Sequence, residues 1–199
     1  MSEHLKLREY FGIGIADCVE TLAELRMAVF RDWPYLYAGD LDYELEYLDA
    51  YVQSPRAFAM VVYDDQRPVG ATTALPLADD DEALQQPVRE AGIEVEGVFY
   101  FGESILLPEY RGQGLYRRFF KAREQHARSF GDYDWAAFCS VQRPAHHPAR
   151  PSDYVPHDAT WRRYGFEPRP DIIAQFPWQD IGEEAETHKP LEFWLKPLA

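Results

Sequence analysis

The sequence is acidic as a whole, but it contains one basic segment, which begins beside two glycines. Between Arg111 and Arg128 the chain has six basic residues and one acidic residue, although the whole protein has a net charge of -14. Cations at the start of a helix are unfavourable, because the free N–H groups of the first turn already carry partial positive charge. A bound anion would remove this conflict, and Gly112 and Gly114 would let a phosphate approach the backbone. The segment therefore predicts a phosphate-binding turn; the alternative is a solvated basic helix face.

The elements on both sides of this turn fit a phosphate cradle. Val98–Leu107 is an almost continuous apolar run, typical of a buried strand that Pro108 ends. Helical spacing of apolar residues predicts a helix over Gly114–Phe130, which Gly131 closes, and Trp135–Val141 has the pattern of a second buried strand. We expect a βαβ unit whose two strands are parallel neighbours.

The first half of the chain predicts two helices and then a hairpin. Apolar residues recur at helical steps over Asp17–Phe30, and again from Leu41 until Ser54 and Pro55 stop the pattern. Phe58–Tyr63 and Pro68–Leu77 are strand-like runs on either side of a polar turn. We therefore expect two helices before the first strand.

The remaining segments give weaker patterns. A helix near Glu82–Glu90 is expected, which Pro87 either starts or interrupts. A short helix is expected around His157–Tyr164, and Ile172–Phe176 and Leu191–Leu195 are strand candidates.

Composition narrows the class of protein. The 199 residues are 46% hydrophobic and 27% charged, as in an ordinary globular domain. The acidic balance would repel nucleic acid and anionic membranes, so neither is an expected partner. The segment Met1–Tyr10 is too charged for a signal peptide, which points to a cytoplasmic protein, and Cys18 and Cys139 are expected to stay reduced. Assembly into homodimers is left open.

Other chemistries fit the sequence poorly. A dinucleotide fingerprint needs a small residue where Arg117 stands, and the Gly-Lys-Ser or Gly-Lys-Thr cradle is absent. The histidines His146, His147 and His157 have no helical metal-ligand spacing, so no metal is expected. Cys139 lies within an apolar strand pattern, where a thiolate would be costly.

The segment Leu106–Leu115, with the sequence LLPEYRGQGL, resembles the acyl-CoA pyrophosphate loop of the GNAT superfamily of N-acetyltransferases. The order of elements and the later Tyr164-Gly165-Phe166 extend the resemblance over most of the chain. Tyr116 departs from the pattern, since the family more often has Gly or Ala there.

The resemblance implies a mixed α/β (α+β) fold, in which a mostly antiparallel sheet with a central splayed pair of parallel strands is flanked by helices. One acyl-CoA N-acyltransferase domain would then cover residues 1–199. Acetyl-CoA is the implied co-substrate, with its pantetheine arm between the splayed strands. The implied contacts are the backbone of Ile105, Leu106 and Leu107 for this arm, and Arg111, Gly112, Gln113, Gly114, Leu115, Tyr116 and Arg117 for the pyrophosphate.

Transfer of an acetyl group to an amine needs a base for the amine proton and an acid for the leaving thiolate. Glu103 is the candidate base, because it is the only charged residue of a strand that should line the cleft; a structural Glu–Arg pair is the alternative. The family's usual acid, a Tyr, corresponds to Trp161 here, so Tyr154 is the candidate acid.

The stretch Trp33–Tyr51 has five tyrosines interleaved with acidic residues. In the family this region borders the acceptor, and aromatic rings with carboxylates would suit a cationic amine; an amphipathic helix with a solvated acidic edge is the alternative. We expect an N-acetyltransferase that acts on a primary amine, of a small molecule or a peptide, by direct attack. The alternative is a non-catalytic acyl-CoA-binding sensor, which the missing Tyr at Trp161 would explain.

Overall fold

The structure, a computed structural model, describes residues 4–198, so residues 1–3 and residue 199 lie outside the described part. The described residues form five α-helices: α1 (Val19–Phe30), α2 (Leu41–Gln53), α3 (Glu82–Glu90), α4 (Leu115–Phe130) and α5 (Asp158–Arg163). They also form eight strands: β1 (Leu5–Phe11), β2 (Phe58–Asp64), β3 (Arg67–Pro76), β4 (Val98–Tyr100), β5 (Ser104–Leu106), β6 (Trp135–Val141), β7 (Glu167–Trp178) and β8 (Thr187–Pro197).

The strands form one mixed sheet in the order β1-β2-β3-β4-β6-β8-β7, and β5 pairs with β3 beside β4. Every pairing is antiparallel except that of β4 with β6, in which Phe99 lies opposite Ala136. This architecture confirms the expected mixed sheet with one parallel pair. Among the described helices, none combines the length and apolar character that a membrane span requires.

Helices cover both faces of the sheet because side chains alternate along the strands. Ala59 and Val61 of β2 belong to the core beneath α1 and α2, to which Leu22 and Leu48 also contribute. Met60 and Val62 face the other way and belong to the core that contains Phe119 of α4. The central strands are therefore buried on both sides.

The structure corrects the expectation that two helices precede the first strand. β1 comes first and pairs with β2 along the edge of the sheet, with Leu7 opposite Val62. Leu5 and Leu7 are half-buried, whereas Lys6 and Arg8 are exposed. A half-buried edge strand needs few apolar residues, so its sequence gives only a short and weak alternating pattern.

Two further expectations differ from the structure. The predicted strand Val98–Leu107 is broken into β4 and β5 by residues 101–103, and β5 does not pair with β6. Pro87 neither starts nor interrupts α3, because the helix continues through it as far as Glu90. The predicted hairpin and the predicted helix before Gly131 are confirmed.

Candidate active site

The sheet opens where β4 gives way to β5. Phe101 N–H donates to Ala137 O at 2.7 Å, which is the last backbone contact of this segment with β6 among the described residues. The next two residues turn to β3: Gly102 N–H donates to Thr73 O at 3.1 Å, and Thr73 N–H donates to Glu103 O at 3.2 Å. The chain is thus drawn away from β6, and a gap separates β5 from it.

Close packing fixes this bend. A Cβ atom on Gly102 would lie 2.2 Å from Tyr51 Oη and 2.6 Å from Thr73 Oγ1, so only glycine fits. The Thr72 hydroxyl also donates to Glu103 O at 2.6 Å. Side chains of α2 and β3 therefore hold the bend in place.

The backbone of β5 presents polar groups to the gap at alternate residues. Glu103 O and Leu107 N–H are bonded to β3. Because polar backbone groups alternate in direction along a strand, those of Ile105 also face β3. Those of Ser104 and Leu106 then face the gap. Ile105, Leu106 and Leu107 were predicted to contact the pantetheine arm, but of these only Leu106 has its backbone polar groups on the open side. Ser104, which was not predicted, has its groups on the same side.

The predicted phosphate-binding turn lies at the end of this gap. Gly112 and Gly114 are exposed and have φ angles of 75° and 81°, a left-handed conformation that favours glycine. α4 begins at Leu115 without a side-chain cap on its first N–H groups. Arg111 Nε donates to Leu106 O at 3.2 Å, which ties the turn to β5. The turn therefore offers free N–H groups, a helix dipole and a cation at one place.

The other predicted loop residues divide into two groups. Gln113 and Arg117 are exposed beside the turn, and Gln113 Nε2 donates to Glu109 O at 3.3 Å. Tyr116 is half-buried, and its hydroxyl accepts a hydrogen bond from Trp161 Nε1 at 2.8 Å. The two positions that depart from the family pattern thus contact each other, and the left-handed turn forms despite Tyr116.

Glu103 is buried at the bend, with 4% of its surface exposed. Its Oε2 lies 2.8 Å from Arg26 Nη1, and Arg26 Nε donates to the carboxylate of Glu44. The guanidinium also lies 4.0 Å above the ring of Tyr47. Glu103 Oε1 has no hydrogen-bond partner among the described residues. One arginine therefore joins two buried carboxylates, and one carboxylate oxygen remains available.

The available oxygen belongs to a residue that lines a cavity of about 90 Å³. The cavity also contacts Arg26, Glu44, Gly102, Leu84, Cys139 and Leu191. Its aromatic walls are Phe30, Tyr35, Tyr37, Tyr43, Tyr47, Tyr100, Phe176 and Trp178. The structure thus brings four of the five tyrosines of the stretch Trp33–Tyr51 together with the candidate base.

The loop that carries Tyr35 into the cavity is fastened by Arg143. Arg143 donates to Pro34 O at 2.9 Å and to Tyr35 O at 2.6 Å, and it forms a bidentate pair with Asp180. Trp178 Nε1 also donates to Tyr35 O, at 3.1 Å. These bonds fix the loop against the end of β7.

A second arginine lies on the other side of the bend. Arg123 is 2% exposed, and its Nη1 donates to Glu103 O at 3.2 Å. Its guanidinium lies 4.5 Å from the ring of Phe101 and 4.7 Å from that of Phe120. Burial lowers the pKa of Arg123 to about 10, so the group stays charged at neutral pH. Arg123 therefore supports the backbone of the candidate base.

Tyr154, the candidate acid, lies in a different environment. Its ring contacts the ring of Trp33, with 5.9 Å between centroids, and the guanidinium of Arg150 lies 5.3 Å from it. Tyr154 is not among the residues that line the cavity, whereas Tyr35 is. The structure thus brings Tyr35, and not Tyr154, to the cavity of Glu103.

The other chemistries considered from sequence gain no support from the geometry. Burial raises the pKa of the Cys139 thiol, which keeps it protonated. Within residues 4–198, no group of three or more His, Cys, Asp or Glu side chains is placed to hold a metal ion.

Comparison with known proteins gives the family. The sequence profile of the acetyltransferase (GNAT) family matches residues 22–151, which include most of α1, the bend at Glu103 and the glycine turn. The chain belongs to this family. It is an acetyltransferase that uses acetyl-CoA. The search of curated protein sequences found no match to this chain.

Solved structures share the fold of the acetyltransferase at low sequence identity. Ribosomal-protein-alanine N-acetyltransferase from Brucella melitensis is 14% identical with a TM-score of 0.59, and the match covers 96% of this chain and 99% of that one. The protein yncA from Salmonella typhimurium, solved with its cofactor acetyl-CoA, is 15% identical with a TM-score of 0.55, over 99% and 95%. NAA60 from Arabidopsis thaliana, in complex with a bisubstrate analogue, is 12% identical with a TM-score of 0.58, over 97% of each chain.

Sequence reasoning missed several residues of the acetyltransferase's site, above all Arg26 and Glu44. A signal for both was present. Arg26 follows Leu22 by four positions and Glu44 precedes Leu48 by four, so each charge lies on the buried face of its helix. Two opposite charges on the buried faces of consecutive helices predict a buried ion pair. Arg123 gave the same signal, because it follows Phe119 by four positions, whereas Ser104 and Arg143 carried none.

Proposed function

We propose that this acetyltransferase moves the acetyl group of acetyl-CoA to a primary amine by direct attack, with Glu103 as the base. The observation that carries the proposal is the available oxygen of Glu103 at the point where the sheet opens. A buried carboxylate between a binding turn for a diphosphate and an aromatic cavity can contact both substrates. This position supports a catalytic role in addition to the ion pair with Arg26.

The residues present fit acetyl-CoA on both sides of the gap. The free N–H groups at Gly112, Gly114 and the start of α4 would hold the diphosphate. On the open edge of β5, the backbone groups of Ser104 and the N–H of Leu106 are available to the pantetheine amides, which would pair with them as an added strand would. Acetyl-CoA supplies an activated thioester; orientation and proton transfer then fall to the protein.

The proton balance assigns Glu103 its task. A primary ammonium has a pKa near 10.4, so the amine must lose a proton before its nitrogen can attack. Glu103 Oε1 would accept this proton, directly or through a water. The N–C bond then forms, the C–S bond breaks, and the thiolate leaves and takes up a proton. The net products are an amide, a free thiol and one released proton.

The proton for the thiolate has two candidate donors. Tyr154 follows from the sequence, whereas Tyr35 lines the cavity together with Glu103 and Cys139. Burial raises the pKa of Tyr35, so the phenol stays protonated and keeps an O–H group that can face the leaving sulfur. We therefore place Tyr35 ahead of Tyr154 in this role. Replacement of each by Phe separates them: we expect Tyr35→Phe to lower kcat about 10-fold or more and Tyr154→Phe to leave kcat near the wild-type value.

Direct attack is favoured over an acyl-enzyme, because the Cys139 thiol is held protonated. We expect Cys139→Ser to retain transfer, and mass spectrometry to find no acetylated protein after incubation with acetyl-CoA alone. Stable acetylation of Cys139 would contradict direct attack. Membership of an acetyltransferase family does not favour the non-catalytic sensor.

The decisive variant is Glu103→Gln, which keeps the size of the side chain but removes its basicity. We expect kcat for acetyl transfer to fall by roughly 100-fold or more while the Kd of acetyl-CoA stays nearly unchanged. Glu94→Gln is the matched control, because Glu94 is exposed and lies outside the cavity. A Glu103→Gln protein with wild-type turnover would leave Glu103 a structural partner of Arg26.

A further inference from the structure

The cations around the acceptor cavity are all neutralised by protein carboxylates. Arg26, the only basic residue among those that line it, contacts both Glu103 and Glu44. Its guanidinium also packs between the rings of Tyr47 and Phe30, at 4.0 and 5.1 Å. Two of its donors, Nε and Nη1, are therefore already paired with carboxylates of the protein.

The next cations behind the cavity wall are also occupied. Arg143 and Lys189 lie 5.8 and 5.9 Å from the ring of Trp178. Arg143 is bound to Asp180 and to backbone carbonyls. Lys189 Nζ lies 2.9 Å from Glu183 and 3.5 Å from Asp180. Two cations and two carboxylates cancel, and the described residues leave no free positive charge at this wall.

The cavity itself keeps an excess of negative charge. The charged residues of its lining are one arginine and two carboxylates, and Glu103 Oε1 lacks a hydrogen-bond donor among the described residues. An ammonium group is a donor that matches such an environment, whereas a substrate carboxylate would enter it unpaired, which is unfavourable.

The size and walls of the cavity limit the rest of the acceptor. About 90 Å³ is below the roughly 300–1,000 Å³ of pockets that enclose drug-sized ligands. Residues from α1, α2, α3 and four strands line it, so several elements limit the width of the group that enters. Apart from its carboxylates and Arg26, the lining is mainly aromatic, which suits an apolar body.

From these observations we infer that the acceptor is a compact primary amine with an apolar body and no anionic group. The inference rests on the proposed transfer to an amine and adds the chemical class of the amine. Free amino acids, whose carboxylate would enter this lining unpaired, are excluded as good acceptors.

Matched pairs of amines test this class. The probes are 3-methylbutylamine and leucine, which differ only in the carboxylate, and 2-phenylethylamine and phenylalanine, which differ in the same way. Leucine methyl ester masks the carboxylate and controls for the reactivity of an α-amine. Release of coenzyme A is followed with a thiol reagent, and the N-acetyl product is identified by mass spectrometry.

We expect kcat/KM to be at least about 100-fold higher for each amine than for its amino acid, and the methyl ester to resemble the amine. Equal or preferred use of leucine and phenylalanine would overturn the inference while the proposed function stands. Acetylation of none of these probes by protein that binds acetyl-CoA would overturn the inference as well. Protein that does not bind acetyl-CoA would instead overturn the proposed function.

A variant of the cavity adds a second reading. Glu44→Gln removes one of the two charges that occupy Arg26, so we expect the preference for 3-methylbutylamine over leucine to shrink by about 10-fold or more. If this buried variant does not fold, the wild-type pairs still decide. A folded Glu44→Gln protein with an unchanged preference would contradict the proposed role of Arg26 and its paired carboxylates.

Discussion

The two halves of the active site are built in opposite ways. The proposed turn for the diphosphate comes from one continuous segment, Arg111–Arg117, in which five of the seven residues are exposed. The proposed acceptor cavity takes its lining from three helices, four strands and the loops between them. A local binding element can be recognised from its own sequence, whereas a cavity assembled from distant elements cannot.

The two halves also differ in how their charges are neutralised. The turn concentrates cations at a helix start, where an anion from outside the protein would relieve their repulsion. The cavity pairs Arg26 with two carboxylates inside the protein. Substitutions in the turn should therefore affect binding, and substitutions in the cavity should affect stability and acceptor use.

The largest effect is expected at the turn. Gly114→Asp places a negative charge and a side chain in a left-handed position at the diphosphate site, so calorimetry should detect no binding of acetyl-CoA. Gly131→Asp is the matched control, because Gly131 has a φ of 74° at the opposite end of the same helix. Unchanged affinity in Gly114→Asp, or equal loss in both variants, would remove the turn from the binding site.

In the cavity, removal of the buried cation should act on folding. Arg26→Met leaves Glu44 and Glu103 without a partner, so the free energy of unfolding should fall by about 3–5 kcal/mol in urea titrations. Arg67→Met breaks an exposed pair with Glu109 and should cost less than about 1 kcal/mol. Similar losses in the two variants would mean that the buried triad is not stabilised by its arginine.

The support of the acceptor loop gives an effect of intermediate size. Arg143→Lys keeps the charge but loses the fork that binds Asp180 and two carbonyls at once. We expect about a 10-fold loss in kcat/KM for the amine and an unchanged KM for acetyl-CoA, because only the acceptor side is displaced. A parallel rise in both KM values would show that the halves are not independent.

The smallest effect is expected from Asp80, whose carboxyl lies near the cavity. Burial raises the pKa of Asp80 to about 7. Between about pH 4 and pH 7 the folded protein therefore holds a proton that the unfolded chain has released, so stability falls as the pH rises through this window. Urea titrations at several pH values should show that Asp80→Asn weakens this dependence. Identical pH profiles for wild type and Asp80→Asn would contradict the assignment.

The same contrast explains what the sequence could predict. The glycine turn, the long helix behind it and the hairpin follow from spacing within a few residues, and the structure has them where they were expected. The break at Gly102 could not be predicted, because it depends on Tyr51 and Thr73, which lie far away in the sequence. Apolar residues continue through the break, so the pattern resembles one uninterrupted strand.

For the same reason, the candidate base gives a local signal in the sequence, whereas the phenol in the cavity does not. Glu103 was recognisable as a charge within an apolar strand, a local signal. Its partner Arg26 and the cavity tyrosines come together only through the packing of α1, α2 and β7 on the sheet. Tyr154 is the candidate acid from the sequence because it lies near Trp161 along the chain. The phenol in the cavity belongs to Tyr35, which lies on a loop bound by Arg143.

Amide hydrogen exchange, resolved residue by residue by NMR, tests most directly whether acetyl-CoA occupies the open edge of β5 and the adjacent turn. Addition of acetyl-CoA should slow exchange at Ser104 and Leu106 and at the first N–H groups of α4. Exchange at Leu107, whose N–H is already bonded to β3, should change little. Protection at both alternate residues and the turn is the predicted result; unchanged exchange at Ser104 and Leu106 in saturated protein would contradict it.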